Sequence, residues 1–543
     1  MKINLNAIFL SLLISSQVFS QNAITGTWVG GLDNGNEWSD ITIHLAKNNS
    51  AYTGKLNIPS IGITDQALKN ISVTERKIHF EWERSIGTAF FDGEQIDGGL
   101  KGTYKRGNVN STFILIRKVT IPLQVLDNYT GSYQIKPGRF LSIGIFGNDD
   151  PGIRYEDSKT RRQGILYAVA SDKFIAGPSY GIPLPADIKI SVIKNNGNVT
   201  AVEYSENGKK YIAKKIALHK QEEVKYKTGN AEITGTLFTP IEKGKHAAII
   251  LVRPGYTFVK REGQLVPFFL RQGLAVFTLN EKIQDGKSQN YNNSTFEERA
   301  QDIVQGLNAI KDKPQIDSKR IGLFGSSLSS WVAPIAADIS PDVSFMILQV
   351  ISAQPVAENI LYEIENDLRE QNILSPGTFA EEGIDSAVDV RRKLNYSILN
   401  NKNWEILKKE IEISKDKSWF PYTRSGWISN VSIPPNEKTL KELQASISYN
   451  PISTLEKIRI PVLTINAGFD NNVETNKTIP ILLDAFKKAQ NKNATVVVIP
   501  FANHGLQEVE KGINSEYYKL KRSAFGYKDI MEDWIRRNVT KMK

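Results

Sequence analysis

The hydrophobic period of this chain changes near Glu222, and that change limits the folds open to it. Before it, apolar side chains alternate with polar ones, as in Ile41-Thr42-Ile43-His44-Leu45 and Lys77-Ile78-His79-Phe80-Glu81-Trp82. A period of two puts one face of a strand on a core and the other in water. Turn signals at Asp33-Asn34-Gly35, Asp92-Gly93, Asp97-Gly98-Gly99 and Arg106-Gly107-Asn108 cut the run into short strands. The pattern implies an antiparallel barrel or sandwich. After Glu222, continuous apolar runs take over: Ala247–Val252, Gly273–Leu279, Arg320–Gly325, Val343–Ile351, Ile460–Ile465 and Ala494–Ile499. The first of these reads as a strand buried on both faces, and the others as further strands. Between them lies helical spacing, as at Phe296, Ala300, Ile303, Leu307 and Ile310, opened by a capping box from Ser294 to Glu297. Strands alternating with helices predict a parallel α/β sheet.

At 543 residues the chain exceeds one core, and roughly 150 residues per domain predicts three or four. Residues 1–20 read as an export signal: Lys2, the apolar run from Ile8 to Ile14, then Val18-Phe19-Ser20 before a cleavage that leaves Gln21 first. The run is too short to span a bilayer, so an exported protein without stable membrane insertion is expected, in the periplasm or the medium. Residues 21–120 form one antiparallel, barrel-like module and 121–221 a second. Gly26, Trp28 and Gly30 resemble the first strand of small lipocalin-like barrels. Residues 222–543 form the α/β domain. Within it, strand signals vanish from about 354 to 450, a helical stretch with Trp404, Trp419 and Trp427. An insertion there lies over the sheet edge where ligands bind, as a substrate lid would.

Composition removes several chemistries. With no Cys there is no disulfide, thiol nucleophile or Cys-based metal site. Five His residues, none closely paired, make a His-rich metal centre an unsuitable reading. The net charge of +10 comes from Lys and Arg mixed with Asp and Glu, without a basic tail. That distribution argues against a nucleic-acid partner, although it favours acidic substrates.

A strand ending at Gly325 runs straight into Ser326-Ser327-Leu328-Ser329-Ser330 and a helix. Strand, sharp turn and helix with Ser at the apex is the context of a nucleophile elbow. A Ser hydroxyl needs a base, and near neutral pH His serves best. His504 is the single His after Ser327, just past the last strand. An acid must orient that His, and Asp470 follows the strand that ends near Ala467. The order Ser327, Asp470, His504, each after a strand end, is that of the α/β-hydrolase scheme. Two backbone N–H groups must face the developing oxyanion. Leu328 supplies one and Tyr256, in the loop after the first apolar run, the other, because Pro254 has no N–H. Arg253 beside that loop is a candidate substrate contact for an acidic or polar acyl group, or else half of a structural salt bridge. His44 and His79 lie in strand patterns and read as face or edge residues.

The segment from Asp317 to Ala337 resembles the nucleophile region of exported bacterial α/β-hydrolase esterases, related to dienelactone hydrolases and prolyl-oligopeptidase-type catalytic domains. Tyr449 to Leu463 is similar to the stretch that returns from the lid to the acid-bearing strand. The resemblance covers 222–543 and implies an α/β-hydrolase fold with a helical lid insertion, preceded by small antiparallel β modules. It implies Ser327 as nucleophile, Asp470 as acid and His504 as base, a small-molecule ester as substrate, and no cofactor or metal. The chain departs from the family pattern at Arg253-Pro254-Gly255, where His-Gly is usual, at Ser326, where His is common, and at Ser329-Ser330, where Gly pairs stand. A serine peptidase or amidase and a non-catalytic binding protein are the alternative readings.

Overall fold

The computed structural model describes residues 24–33, 38–58, 63–84, 87–96, 98–146, 152–252, 265–289, 294–374, 377–423 and 433–540. The expected export signal lies outside these. The chain divides into two compact units, one ending at Lys118 and the other running from Val119, with residues 33–38 belonging to the second.

The first unit is a closed antiparallel barrel of eight strands in sequence order, from Gly26–Asp33 to Val109–Arg117. The alternation read from the sequence sorts its faces. Ile41, Ile43, Leu45, Ile78, Phe80 and Trp82 are buried, while Lys77 and His44 are exposed. The buried side chains form one cluster of aliphatic and aromatic residues, in which Phe80 and Phe91 stack 4.6 Å apart. A Cβ added at Gly30 would lie 2.0 Å from the Ile114 carbonyl oxygen. Closure of first strand on last therefore requires Gly there.

The second unit opens with a second closed eight-stranded barrel, from Gly131–Lys136 to Lys209–Ile216. Each barrel has its own apolar core, the second built around Tyr133, Tyr155, Phe174 and Tyr204. Arg139 is buried there and bonds Asp157 and, at 2.7 Å, Glu206, so its charge is matched.

The α/β sheet follows. Its main strands are β1 (His219–Thr228), β2 (Ala231–Pro240), β3 (His246–Val252), β4 (Ala275–Gln284), β5 (Ile316–Ser326), β6 (Val343–Gln349), β7 (Val462–Ala467) and β8 (Ala494–Ile499). The domain thus begins at His219 rather than Glu222, because the first hairpin strand is too polar to stand out as a buried one. Strand order is β1-β2-β4-β3-β5-β6-β7-β8, with β2 antiparallel to its neighbours and β3 to β8 parallel. This is the strand arrangement of an α/β-hydrolase. Helices α1 (Leu265–Arg271), α2 (Phe296–Lys311) and α3 (Ser329–Ile339) follow β3, β4 and β5. Two apolar clusters, one per sheet face, make the core. The capping box of α2 forms one residue later than the sequence suggests. The Thr295 hydroxyl accepts from the Glu298 N–H, and the Glu298 carboxylate from the Thr295 N–H. The later register satisfies both groups while keeping Phe296 buried.

Between β6 and β7 the longer helices among the described residues are α4 (Val356–Leu374), α5 (Glu381–Asn400), α6 (Trp404–Ser414) and α7 (Glu437–Ile447). They bury their own apolar clusters, and Trp404 belongs to one of them. Trp419 packs against the same clusters, while Trp427 lies outside the described residues. Helices α8 (Thr475–Lys488) and α9 (Tyr527–Ile535) complete the unit. No helix among the described residues is long and apolar enough to cross a membrane.

Candidate active site

The sharpest local feature of the sheet is the exit of β5. Ser327 sits at φ +55°, the left-handed region that a non-glycine residue enters at a cost of about 1–3 kcal/mol. The turn is held from both sides. The Ser327 N–H donates to the Gln349 carbonyl at the end of β6, 3.0 Å away. The Ser327 carbonyl accepts from the Ser330 N–H at 2.8 Å and also from the Ser330 hydroxyl. Strand and helix pass so closely that a Cβ on Gly325 would lie 2.6 Å from the Ser329 carbonyl oxygen. The serines standing where Gly pairs are usual therefore differ in effect. Ser330 ties down the elbow carbonyl, whereas the Ser329 hydroxyl is buried with no hydrogen-bond partner among the described residues. Leu328 is the N-cap residue of α3 in helical conformation, where first-turn N–H groups have no intrahelical acceptor.

Asp470 and His504 come to this serine from the loops after β7 and β8. The Ser327 Oγ lies 2.9 Å from His504 Nε2. His504 Nδ1 lies 2.9 and 3.0 Å from the two carboxylate oxygens of Asp470. Asp470 is buried, and its Oδ1 accepts the N–H groups of Asn472 and Val473 at 2.9 Å each. Burial works to lower the His504 pKa. The hydrogen bond and charge of Asp470, with the more distant Glu363, outweigh burial and raise it above the ordinary 6.5. The structure thus joins the three residues in one hydrogen-bonded chain.

Several participants carried no separate sequence signal. Helix α4 leans on the acid loop: Tyr362 donates its hydroxyl proton to the Asp470 carbonyl at 3.0 Å, and Asn366 bonds the Asn471 carbonyl at 3.1 Å. Two polar residues one turn apart on an otherwise amphipathic helix are the trace they leave in the sequence. Gln349, hidden at a strand end, braces the elbow. Arg253 and Tyr256 lie outside the described residues. His79 faces outward on the first barrel, as expected of a face residue, yet it gains a partner that sequence reading did not foresee. Asp92 on the next strand is 2.7 Å from its Nδ1, and that hydrogen bond raises its pKa against a smaller effect of burial.

The base-bearing loop is also braced by backbone. The Glu508 N–H donates to the Arg522 carbonyl, and the Ala524 N–H to the Leu506 carbonyl. The same 518–523 segment accepts from Gln163, Tyr180 and Gly181 of the second barrel, and Ser523 donates to the Arg161 carbonyl. Buried Glu156 of that barrel pairs with Lys528 of α9, and Arg161 bonds Asp529 at 2.7 Å.

No protein-family model and no curated protein matches the chain. Solved structures of similar shape include an esterase of Pyrococcus furiosus at 14% identity, covering 59% of this chain and 92% of that one with a TM-score of 0.35. An α/β-hydrolase of a Penicillium species matches at 14%, with coverage of 59% and 99% and a TM-score of 0.34. The acylaminoacyl peptidase of Pyrococcus horikoshii matches at 11%, with coverage of 93% and 80% and a TM-score of 0.39. Likeness at TM-scores below 0.5 says nothing of activity.

Proposed function

We propose that the protein is a serine hydrolase that cleaves carboxylic esters through an acyl-enzyme. The observation carrying this reading is the unbroken Asp470–His504–Ser327 relay on a serine held at φ +55°. In this reading Ser327 Oγ attacks the ester carbonyl while His504 Nε2 takes its proton. Asp470 keeps the other imidazole proton on Nδ1 and stabilises the cation that forms. The oxyanion is met by the Leu328 N–H, with Tyr256 as second donor. His504 then protonates the departing alcohol oxygen. A water gives its proton to His504 and attacks the acyl carbon, releasing the acid and restoring Ser327. The insertion acts as a lid, since α4 already bonds the acid loop. Export of the protein is part of the proposal and rests on residues 1–20.

Hydrolysis of 4-nitrophenyl acetate and butyrate beside Ser327→Ala tests the reading. The variant should lose about a million-fold in kcat. No turnover by the wild type, and no labelling of Ser327 by a fluorophosphonate, would sink it. Amide turnover above ester turnover on matched acyl groups would replace it with the amidase reading.

A further inference from the structure

The α/β sheet ends in a strand with an open side. Strand β8 is last in the order and, among the described strands, pairs with β7 alone. The carbonyls of Asn493, just before it, and of Ile499, its last residue, accept the N–H groups of Val462 and Gly468 on the β7 side. Successive residues of a strand direct their backbone groups to opposite edges. The N–H and carbonyl groups of Ala494, Val496 and Val498 therefore point away from the sheet, and no described residue bonds them.

Exposed sheet edges are commonly blunted by a charge, a proline or a bulge. β8 has none of these. It reads Ala-Thr-Val-Val-Val-Ile, and its pairing with β7 is regular. Thr495 and Val498 are exposed, and α8, which packs on β8, leaves Leu483 exposed as well.

A second copy of this chain matches the edge because the edge is complementary to itself. A two-fold axis through Val496 sets an antiparallel copy with Val496 against Val496 and Ala494 against Val498. All six outward groups of each strand are then paired. Moving the axis to Val497 would set Ala494 against Pro500, which has no N–H. Moving it to Thr495 would set Val498 against Lys492, which lies in a turn. With the axis at Val496, Lys492, the single charge within residues 491–501, falls opposite Pro500, so no like charges meet along the strands.

We propose that two copies of this protein associate through β8, joining their α/β sheets into one across a two-fold axis at Val496. The contact is isologous, so it closes at two copies and leaves no open edge at β8 for a third. The inference is independent of the esterase reading.

Sedimentation velocity of the purified protein across about 1–100 µM should show monomer and dimer in exchange, with no larger species. Hydrogen exchange, read by mass spectrometry on a peptide spanning residues 494–499, should slow as concentration rises through that range. Val498→Pro removes one outward N–H, leaves the β7 ladder whole and touches neither apolar cluster of the sheet. It should weaken the dimer at least about tenfold. Val498→Thr keeps the N–H and should dimerise like the wild type. If Val498→Pro fails to fold, the exchange measurement on the wild type decides alone. A chain still monomeric at about 100 µM, a dimer indifferent to Val498→Pro, exchange at 494–499 that ignores concentration, or open-ended oligomers would each overturn the proposal.

Discussion

Replacing Asp470 by Asn changes one atom, and the structure dictates which. Oδ1 accepts the N–H groups of Asn472 and Val473, so the amide oxygen of an Asn must stay on that side. The amide nitrogen then occupies the Oδ2 position, 3.0 Å from His504 Nδ1. Both atoms would carry hydrogens there. The retained oxygen, 2.9 Å away, can still accept from Nδ1–H but competes with the repelling amide N–H, so the tautomer protonated on Nε2, whose Nδ1 accepts that N–H, gains weight, and it cannot take a proton from Ser327. A wrong tautomer of this kind lowers kcat by about 10⁴, or about 5 kcal/mol of transition-state stabilisation. The assay is kcat/KM for 4-nitrophenyl butyrate across pH, with circular dichroism to show a folded chain. The residual activity should titrate at lower pH than the wild type, because the carboxylate that raises the His504 pKa is gone. A loss under tenfold with an unmoved pH profile would refute the reasoning and leave Asp470 as a loop-capping residue.

Wild-type kcat/KM should fall as pH drops through the His504 pKa. Since that pKa is raised, half-activity should lie above 6.5, and a midpoint clearly below it would contradict the geometry. Ser329→Ala removes a buried hydroxyl that has no partner among the described residues and should stabilise the fold by about 1 kcal/mol, read as a higher Tm; a lower Tm would mean the hydroxyl is satisfied. Gly325→Ala puts a methyl 2.6 Å from a backbone oxygen and should abolish ester turnover, and a normally active variant would speak against a tight elbow. Lys528→Met should destabilise by about 3–5 kcal/mol in chemical denaturation by stranding Glu156, and adding Glu156→Leu should recover most of it; a single variant as stable as wild type would show the pair is not buried in solution.

What the sequence made legible follows from where its signals come from. Continuous apolar runs announce themselves, so β3 and β6 could be marked to within two residues, whereas β5 begins four residues before its run and β8, marked by its run, is mostly only part-buried. The polar hairpin strand β1 could not, since nothing in His219–Thr228 separates it from a surface strand. Ser327, Asp470 and His504 could be named because each follows a strand end in an expected order and just one His was available. Tyr362 and Gln349 could not, because their part is set by tertiary neighbours and polar residues in such places are common. That Ser330 ties the elbow while Ser329 leaves a hydroxyl unpaired is likewise a matter of orientation, which spacing does not encode.

The backbone stitching of 518–523 to the second barrel bears on how such a chain can be rearranged. A domain joined to its neighbour by side chains alone can be exchanged at the cost of a new surface. Here the ribbon that steadies His504 continues as hydrogen bonds from Gln163, Tyr180 and Gly181. A chain begun at His219 would expose those carbonyls and slacken the support of its own base, although every residue of the triad would still be present. The natural cut for recombination or for a fused partner is therefore at Lys118, ahead of the second barrel, and that barrel should travel with the hydrolase fold as one inherited piece.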